Sequence, residues 1–408
     1  MKKLIALLVT AVLCLTAFAA LAEVKIGAVM LGDETEGYTL AHINGIKEAA
    51  EKLGIEVVWK YKVPEDQTCY DSALDLIGQG CNLIVSNSYG HQSYMALAAE
   101  EFPDVTFLAM TGDFAALSGL DNLKNAFTRI YESRYVSGVV AGMKLAELLE
   151  TGELSPEKQP NSFDADGNVK IGYVGVFSYA EVVSGYTAFF LGVRSIVPNV
   201  TMEVMYTNSW CDIDKEGAAA EALISKGCVI IGQHADSTGA PAATQKLHDA
   251  GNVCYSVGYN VDMLPTAPTA ALTSATNVWS VCYTELFSAV QNGEELSADW
   301  AKGYDDGAVA ITELGSSCAA GTAEKVAEVE AALRDGTLNV FDTSTFTVNG
   351  ETVTSVPCDM TIMDFATNSV LYAGETYEGI VDGAFKESTF RSAPYFSLRI
   401  DGIVEDIE

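Results

Sequence analysis

Apolar and polar residues alternate in two different rhythms along most of the chain. Amphipathic stretches with the spacing of helices, such as Ala41 to Leu53 and Ala188 to Ile196, precede short runs rich in β-branched and aromatic residues. Those short runs, such as Ile55 to Tyr61 and Thr201 to Tyr206, have the composition and length of strands. A regular succession of strands and helices is typical of proteins in which helices cover a parallel sheet. We therefore predict a doubly wound α/β fold.

The tetrapeptide Val-Lys-Ile-Gly occurs twice, at residues 24–27 and at residues 169–172. Each copy is followed by a loop, the tripeptide Gly-Tyr-Thr, a helix-like stretch and a second strand-like run, so a βαβ unit is duplicated. Two parallel-sheet lobes in tandem are the simplest architecture for such a chain. Parallel sheets bind ligands beyond the carboxyl ends of their strands, so facing lobes would place residues 32–38 and 177–181 across one cleft.

Residues 1–22 have the pattern of a cleaved secretory signal. A basic start is followed by an apolar core, and Ala20-Leu21-Ala22 precedes Glu23. We therefore expect an exported protein, in the periplasm or at the outer face of the cytoplasmic membrane. Cys14 leaves lipid anchoring as an alternative, although Leu13 stands where that processing normally needs a small residue. No later stretch approaches the roughly 18 to 20 apolar residues needed to span a bilayer.

The rest of the chain is long enough for two lobes with their own cores. We assign residues 23–128 and 262–335 to lobe 1, and residues 129–261 and 336–408 to lobe 2, with a hinge between the lobes. The stretch from Phe346 to Val353 contains an Asn-Gly turn between two strand-like runs. It predicts a β-hairpin within a C-terminal extension of lobe 2.

Acidic residues greatly outnumber basic ones. The chain has 23 Lys and Arg against 55 Asp and Glu, which gives a formal net charge of −32. Such a charge disfavours binding to nucleic-acid phosphates and to anionic membrane surfaces, and we expect neither partner. Solubility outside the cell is the plainer meaning of this composition.

Eight of the nine cysteines follow the expected cleavage site. An even number of cysteines in an exported chain favours disulfides. Cys69 and Cys81 bracket one helix-like stretch, and Cys211 and Cys228 bracket the corresponding stretch of the second copy. We predict that each pair is a disulfide linking a helix to the next strand; the alternative is that all eight are buried thiols. No cysteine or histidine spacing suggests a metal site, and we expect neither metal nor cofactor.

Sequence motifs for catalysis are missing. There is no Walker A phosphate loop, no His-Glu-x-x-His, no Gly-x-Ser-x-Gly and no dinucleotide-binding glycine pattern. None of the four histidines lies within a nucleophile motif. We therefore predict a protein without catalytic activity, with an enzyme that uses a pair of carboxylates as the alternative.

Aromatic, amide and carboxylate side chains gather just after the predicted strands. A planar polar ligand suits such a set, because its ring stacks on aromatic faces while polar groups read its edge. The alternative for each ring is packing in a core. We select as candidate ligand-binding residues Tyr38, Thr39, Asn87, Phe177, Trp210, His234, Asp236, Asn260, Asp262, Asn277 and Trp279.

Several stretches, in this order and spacing, resemble one known family. They are residues 33–45, 129–142, 177–183, 208–212, 234–239 and 272–279. Together they resemble the basic membrane protein (BMP) family of ABC-transporter solute-binding proteins, in particular its purine-nucleoside receptor group. The resemblance covers nearly the whole chain after the predicted signal.

This resemblance implies type I periplasmic-binding lobes joined by three crossovers, with the ligand between them. It implies that Tyr38 and Phe177 clamp a purine ring from opposite lobes. It also implies that Asp236, Asn260 and Asp262 read the polar groups of the ligand.

Some positions differ from the nucleoside receptors that this chain resembles. Asn260 stands where those receptors often carry Asp, and Asn277 stands where some carry Lys. Trp210 and Trp279 resemble a branch of the family that is associated with nucleobases such as adenine. The ligand implied by the resemblance is therefore a purine nucleoside or a free base.

We expect a monomeric receptor that closes on its ligand by a hinge motion and delivers it to an ABC-transporter permease. Hydrolysis of ATP would belong to a separate subunit. The alternatives are a sugar or autoinducer receptor of the same fold, and an exported nucleoside hydrolase or deaminase.

Overall fold

The computed structural model describes residues 23–364 and 369–406. The predicted signal at residues 1–22, with Cys14, lies outside the described residues. Within the described part of the chain, no helix is long and apolar enough to cross a membrane.

Strands and helices alternate through the first three quarters of the chain. In chain order, the strands are β1 (Lys25–Val29), β2 (Glu56–Lys60), β3 (Leu83–Ser86), β4 (Thr106–Met110), β5 (Leu123–Thr128), β6 (Val169–Gly175), β7 (Val200–Tyr206), β8 (Ile230–Gln233), β9 (Tyr255–Tyr259), β10 (Ala271–Asn277), β11 (Asp299–Lys302), β12 (Val309–Ile311), β13 (Pro357–Asp359), β14 (Ile362–Asp364), β15 (Ser369–Tyr372), β16 (Thr376–Glu378), β17 (Ile380–Val381), β18 (Ala384–Phe385) and β19 (Ile403–Asp406).

The α-helices lie mostly between consecutive strands of the two large sheets. They are α1 (Gly37–Leu53), α2 (Gln67–Gly78), α3 (Gln92–Glu101), α4 (Ala115–Ser118), α5 (Ile130–Glu150), α6 (Ala180–Ile196), α7 (Ile213–Ser225), α8 (Gly239–Asp249), α9 (Trp279–Asn292) and α10 (Thr322–Arg334).

Two large sheets form the centres of two lobes. The first sheet has the strand order β11-β5-β4-β3-β1-β2 and is entirely parallel. The second has the order β12-β10-β9-β8-β6-β7-β19, and within it only β12 runs antiparallel to its neighbour. The predicted doubly wound α/β architecture with two parallel-sheet lobes is confirmed.

The chain crosses between the lobes three times. It leaves lobe 1 between β5 and α5, returns between β10 and α9, and leaves again between β11 and β12. The assignment of residues 262–335 to lobe 1 is therefore wrong for β10, β12 and α10. Strand β10 pairs with β9, β12 pairs with β10, and α10 packs on α5 of lobe 2. The boundary between the lobes is decided by pairing between strands that are distant in sequence, and the local pattern of apolar and polar residues does not reveal that pairing.

Each lobe buries its own apolar core. Ile26, Leu83 and Trp300 belong to the core of lobe 1, while Tyr173, Phe189 and Phe396 belong to that of lobe 2. The lobe 2 helices α5 and α6 pack so closely that a Cβ atom on Gly138 would overlap the backbone oxygen of Phe189. Glycines on the facing sides of the two helices, such as Gly138 and Gly192, explain this contact, because only a residue without a Cβ atom lets the helix backbones come so close.

All eight cysteines in the described residues are free, so the predicted disulfides are wrong. The helix between each pair is the physical reason. Cys69 lies in the first turn of α2 and Cys81 follows the end of that helix, while Cys211 precedes α7 and Cys228 follows it. A helix rises about 1.5 Å per residue, so the helical stretch from Cys69 to Gly78 is about 14 Å long and α7 is about 20 Å long. Disulfide-bonded Cα atoms lie within about 7 Å of each other.

Of the hairpin predicted at Phe346 to Val353, only the Asn-Gly turn is present, and the two predicted strands are wrong. Asn349 and Gly350 adopt φ angles of 54° and 80°, as a tight Asn-Gly turn requires. A single bridge joins Val348 to Glu351, and the flanking residues do not form strands.

Candidate functional site

The first turn of α1 supplies the lobe 1 wall of the cleft. The carboxylate of Glu36 caps this helix by accepting hydrogen bonds from the backbone N–H groups of Tyr38 (2.7 Å) and Thr39 (2.9 Å). The Tyr38 hydroxyl donates to the carbonyl oxygen of Asn87. Its ring meets the ring of His42 edge-on, with the centroids 4.6 Å apart. Tyr38 is therefore fixed at both ends, at the carboxyl edge of the first sheet.

Asn87 uses its side chain to join two loops of this wall. Its Oδ1 accepts a hydrogen bond from the backbone N–H of Leu31 at 2.8 Å, and its Nδ2 donates to Thr39 Oγ1 at 3.3 Å. Asn87 and Thr39 are both fully buried. These two predicted site residues therefore support the wall from behind.

Trp279 lies beneath the same wall. It begins α9, is 2% exposed, and its ring stacks on that of His42 with the centroids 4.1 Å apart. Burial lowers the pKa of His42 to about 3, so the imidazole is neutral, and its Nδ1 lies 2.6 Å from the Tyr283 hydroxyl. Trp279 thus supports His42, which in turn supports Tyr38.

Four rings form the lobe 2 wall, at the carboxyl edge of the second sheet. The Trp210 ring centroid lies 6.0 Å from that of Phe177, 6.0 Å from that of Tyr179 and 6.2 Å from that of His234. Trp210 and Tyr179 are 38% and 44% exposed, so part of each ring is accessible. This wall therefore offers aromatic surface to a ligand.

A buried hydrogen-bond chain behind this wall fixes His234. Arg134 Nη1 donates to the Tyr173 hydroxyl at 2.6 Å, which lies 3.4 Å from His234 Nδ1, and His234 Nε2 lies 2.7 Å from Glu181 Oε2. Burial lowers the pKa of His234. A neutral ring protonated on Nε2 satisfies the chain, because Tyr173 then donates to Nδ1 and Nε2 donates to Glu181. Burial acts to raise the pKa of Glu181, but His234 and Arg134 lower it overall, so Glu181 is ionised and balances Arg134.

A second polar chain runs from the cleft to the hinge. Asn260 Nδ2 donates to Asp236 Oδ1 at 2.6 Å, Asn277 Nδ2 donates to Asn260 Oδ1 at 3.4 Å, and the Thr128 hydroxyl donates to Asn277 Oδ1. Asn260 has a φ of 64°, a left-handed conformation that is uncommon for residues other than glycine. Burial raises the pKa of Asp236 well above its usual range, and the nearby carboxylate of Glu36 adds to the rise.

The two walls meet beside Asp236. A Cβ atom placed on Gly37 would lie 3.0 Å from the backbone oxygen of Asp236 and 3.4 Å from Val261 Cγ2. Gly37 begins α1 in lobe 1, whereas Asp236 and Val261 belong to lobe 2. The first turn of α1 therefore packs directly on the opposite lobe.

Asp262 does not join the other predicted polar residues. It is exposed, and its Oδ1 accepts a hydrogen bond from the backbone N–H of Leu264 at 2.9 Å. An Asp followed two residues later by the N–H that it binds forms a local turn. This local bond accounts for the position of Asp262 outside the cleft.

The sequence pattern does not single out Arg134, Glu181 or Tyr259, yet all three belong to the site. The guanidinium of Arg134 lies 3.8 Å from the centre of the Tyr259 ring, a cation–π contact. One sign of burial is present in the sequence, because Arg134 is a charged residue in a helix that continues with Val136, Val139 and Val140. A buried charge needs a partner, which points to Glu181 only once the fold is known.

The sequence that forms this site is similar to the sequences of known proteins. Residues 31–331 match the model of the Bmp family, described as ABC transporter substrate-binding protein PnrA-like. The chain belongs to this family. It is also 33% identical to a purine-binding protein of Brucella abortus over 322 residues. These residues are 78% of this chain and 83% of that protein.

One further relative and one solved structure are also similar to this Bmp-family chain. A putative ABC transporter glucose-binding protein of Haloferax volcanii is 30% identical over 266 residues, which are 65% of this chain and 60% of that protein. The solved structure of an ABC transporter solute-binding protein from Conexibacter woesei has a TM-score of 0.61 at 18% identity, and covers 78% of this chain and 98% of its own. This Bmp-family protein is thus a substrate-binding protein of an ABC transporter.

Proposed function

We propose that this protein captures a purine between its two lobes, outside the cytoplasm, and delivers it to the permease of an ABC importer. The observation that carries the proposal is the partly exposed aromatic surface of Trp210 and Tyr179 beside the buried carboxyl group of Asp236. A purine ring stacks on such surfaces, and a carboxyl group fixed by Asn260 can read its polar edge. The likeness to a purine-binding protein supports the same ligand class.

Within this class, we propose that a free base such as adenine binds more tightly than its nucleoside. Ribose hydroxyl groups are well bound by carboxylates, and two positions considered for that role do not supply one. Asn260 carries an amide, and Asp262 is exposed and bonded to its own loop.

A sugar is the second candidate ligand, because the likeness to a putative glucose-binding protein favours it. Aromatic faces also stack on the apolar faces of sugars. A sugar, however, presents hydroxyl groups around its whole ring, and a buried receptor has to bond each of them. The walls described here are richer in rings than in free polar groups, which favours the purine.

Isothermal titration calorimetry tests the proposal with adenine, guanine, adenosine, guanosine, ribose and glucose on the purified mature protein. We expect measurable binding of at least one purine and tighter binding of adenine than of adenosine. Binding of glucose or ribose alone would replace the purine with a sugar. Chromatography of each mixture after incubation shows whether adenosine is cleaved or deaminated, and such a product would mean an enzyme.

Two variants connect the ligand to the walls. Trp210→Ala removes accessible aromatic surface, and Asp236→Asn retains the shape of the side chain while changing its hydrogen-bonding groups. We expect each to weaken purine binding at least about tenfold, since a lost ring or buried polar contact often costs 2 kcal/mol or more. Tyr61→Ala is the matched control, because Tyr61 is 40% exposed and its ring stacks on Trp59 of the edge strand β2 and not on a ring of either wall. Equal loss in all three variants would contradict the proposed site.

A further inference from the structure

The C-terminal part of the chain follows the stretch that matches the family model. The family model ends at residue 331, whereas the described chain continues to residue 406. We call the described residues after α10 the C-terminal addition, and β19 at its end completes the second sheet.

One segment of this addition, residues 386–396, is firmly anchored in lobe 2. The buried carboxylate of Glu387 accepts hydrogen bonds from the backbone N–H groups of Tyr395 at 2.7 Å and Phe396 at 2.8 Å. The Phe396 ring is fully buried and stacks on that of Phe341, with the centroids 4.3 Å apart. We call this segment the strap.

The middle of the strap reaches lobe 1. The backbone N–H of Ser392 donates to Asp299 Oδ2 in β11 at 2.6 Å, and Arg391 Nη1 lies 3.4 Å from Asp113 Oδ2. Ala393 packs in a small apolar cluster with Phe127 and other residues at the crossovers between the lobes. The strap thus runs beside the hinge and is bonded to both lobes.

A second contact with lobe 1 lies earlier in the C-terminal addition. The Tyr372 ring packs on that of Phe114, with the centroids 4.8 Å apart. Ile362 is buried in the same apolar cluster of lobe 1 as Phe114. The addition therefore holds lobe 1 at two separate places.

Through Asp113, the strap also contacts a residue at the mouth of the cleft. Asp113 Oδ2 accepts a hydrogen bond from the Tyr89 hydroxyl at 3.1 Å as well as facing Arg391. Asp113 Oδ1 accepts another from Gln92 Nε2 at 3.0 Å. Tyr89 follows β3 at the carboxyl edge of the first sheet, where the lobe 1 wall lies, and is 41% exposed.

We propose that the strap ties the two lobes together beside the hinge and that its Arg391, acting through Asp113, positions Tyr89 at the mouth of the ligand cleft. Arg391 is a positioning residue, since the ion pair orients the Asp113 carboxylate and that carboxylate holds the Tyr89 hydroxyl. The side chains of Arg391 and Asp113 are only 19% and 8% exposed, so water screens this pair less than an ordinary surface pair. The affinity part of this proposal rests on the proposed purine ligand, whereas the tie between the lobes does not.

Four variants test the positioning role, with adenine as the probe. Arg391→Met keeps the side-chain length and removes the charge, Arg391→Lys restores the charge, Tyr89→Phe removes the hydroxyl, and the last combines Arg391→Met with Tyr89→Phe. We expect about a five- to tenfold loss of affinity for Arg391→Met and for Tyr89→Phe, and near-native affinity for Arg391→Lys. Because both changes interrupt one chain of bonds, the double variant should bind no more weakly than either single variant.

Small-angle X-ray scattering without ligand tests the tie independently. Arg391→Met should increase the radius of gyration relative to the parent, because the lobes then separate more freely. Arg334→Met is the matched control: its ion pair with Glu330 at 2.9 Å lies within α10 of lobe 2, so the lobes should not separate. If Arg391→Met fails to fold, Asp113→Asn takes its place in both measurements.

Different failures have different meanings. If the parent protein does not bind adenine, the proposed ligand is wrong, and the scattering still decides whether the strap ties the lobes. If Arg391→Met matches the parent in scattering, the ion pair between Arg391 and Asp113 does not tie the lobes and that part of the proposal is wrong. If the losses from Arg391→Met and Tyr89→Phe multiply in the double variant, Arg391 does not act through Tyr89 and the positioning role is wrong.

Discussion

Replacing Gly37 with Ala should weaken ligand binding without weakening the fold. The new Cβ atom would lie 3.0 Å from the Asp236 backbone oxygen and 3.4 Å from Val261 Cγ2, both in the opposite lobe. Unstrained contacts between such atoms are about 3.5 to 4.0 Å long, so the lobes would have to separate by about 0.5 Å at this point. Separation by this amount forfeits part of the contacts that surround the cleft.

The magnitude follows from two opposing effects. We expect the closed arrangement of the lobes to lose about 1 kcal/mol, which is about a fivefold loss of affinity. Ala is favoured over Gly within a helix by roughly 0.5 to 1 kcal/mol, so the folded protein should be equally stable or slightly more stable. Opposite signs for affinity and stability would show that Gly37 acts on closure.

Calorimetric titration with the bound purine and thermal unfolding of the ligand-free protein measure the two quantities. Gly78→Ala is the control, because Gly78 ends α2 at an exposed position where a Cβ atom would meet no atom within 4 Å. It should raise stability and leave affinity unchanged. Parent-like affinity in Gly37→Ala would refute the inference that this turn is a contact on which closure depends.

Three further predictions concern the fold. Gly138→Ala should destabilise lobe 2 by roughly 2 to 4 kcal/mol in chemical denaturation, because its Cβ would overlap the Phe189 carbonyl oxygen; an unchanged midpoint would contradict the close helix contact. Burial raises the pKa of Glu387 from 4.5 to about 7, so between these pH values the folded state holds a proton on Glu387 that the unfolded state has lost. The stabilisation from this proton is complete below pH 4.5 and is lost as the pH rises through 7. Glu387→Gln should remove that slope from melting temperatures measured between pH 4.5 and 8, and an identical slope would refute it. Alkylation of the unreduced, denatured mature protein should label all eight cysteines, whereas a mass deficit would indicate a disulfide.

The repeating βαβ pattern was sufficient to predict the two sheets, because the period of apolar positions is encoded locally. It was not sufficient to assign β10, whose neighbour in the sheet is decided by pairing with β9. The same limit explains the error at Cys69 and Cys81. Their matching positions around a helix suggested a pair, but the helix itself holds them apart.

The positions of some candidate residues at the ends of strands were predictable from the sequence, whereas their role in binding stays a prediction. Trp210, His234 and Asp236 lie at the carboxyl edge of the second sheet, as expected from their position after strands. The bonds between side chains were not predictable, because they join residues far apart in sequence. Arg134 binds the backbone of Gln233 at 3.0 Å, for example, and only the packed fold brings them together.

The order of the strands has a consequence for how the chain folds. The first sheet includes β11, which pairs with β5 across more than 170 residues, and the second includes β19, which pairs with β7 across about 200 residues. Neither sheet can therefore be completed from a continuous half of the polypeptide. Such long loops close slowly, because the chain loses conformational entropy when distant strands meet, before the contacts between those strands offset that loss. The lobes accordingly depend on each other to fold, and a chain cut after β10 would leave both sheets with an open edge.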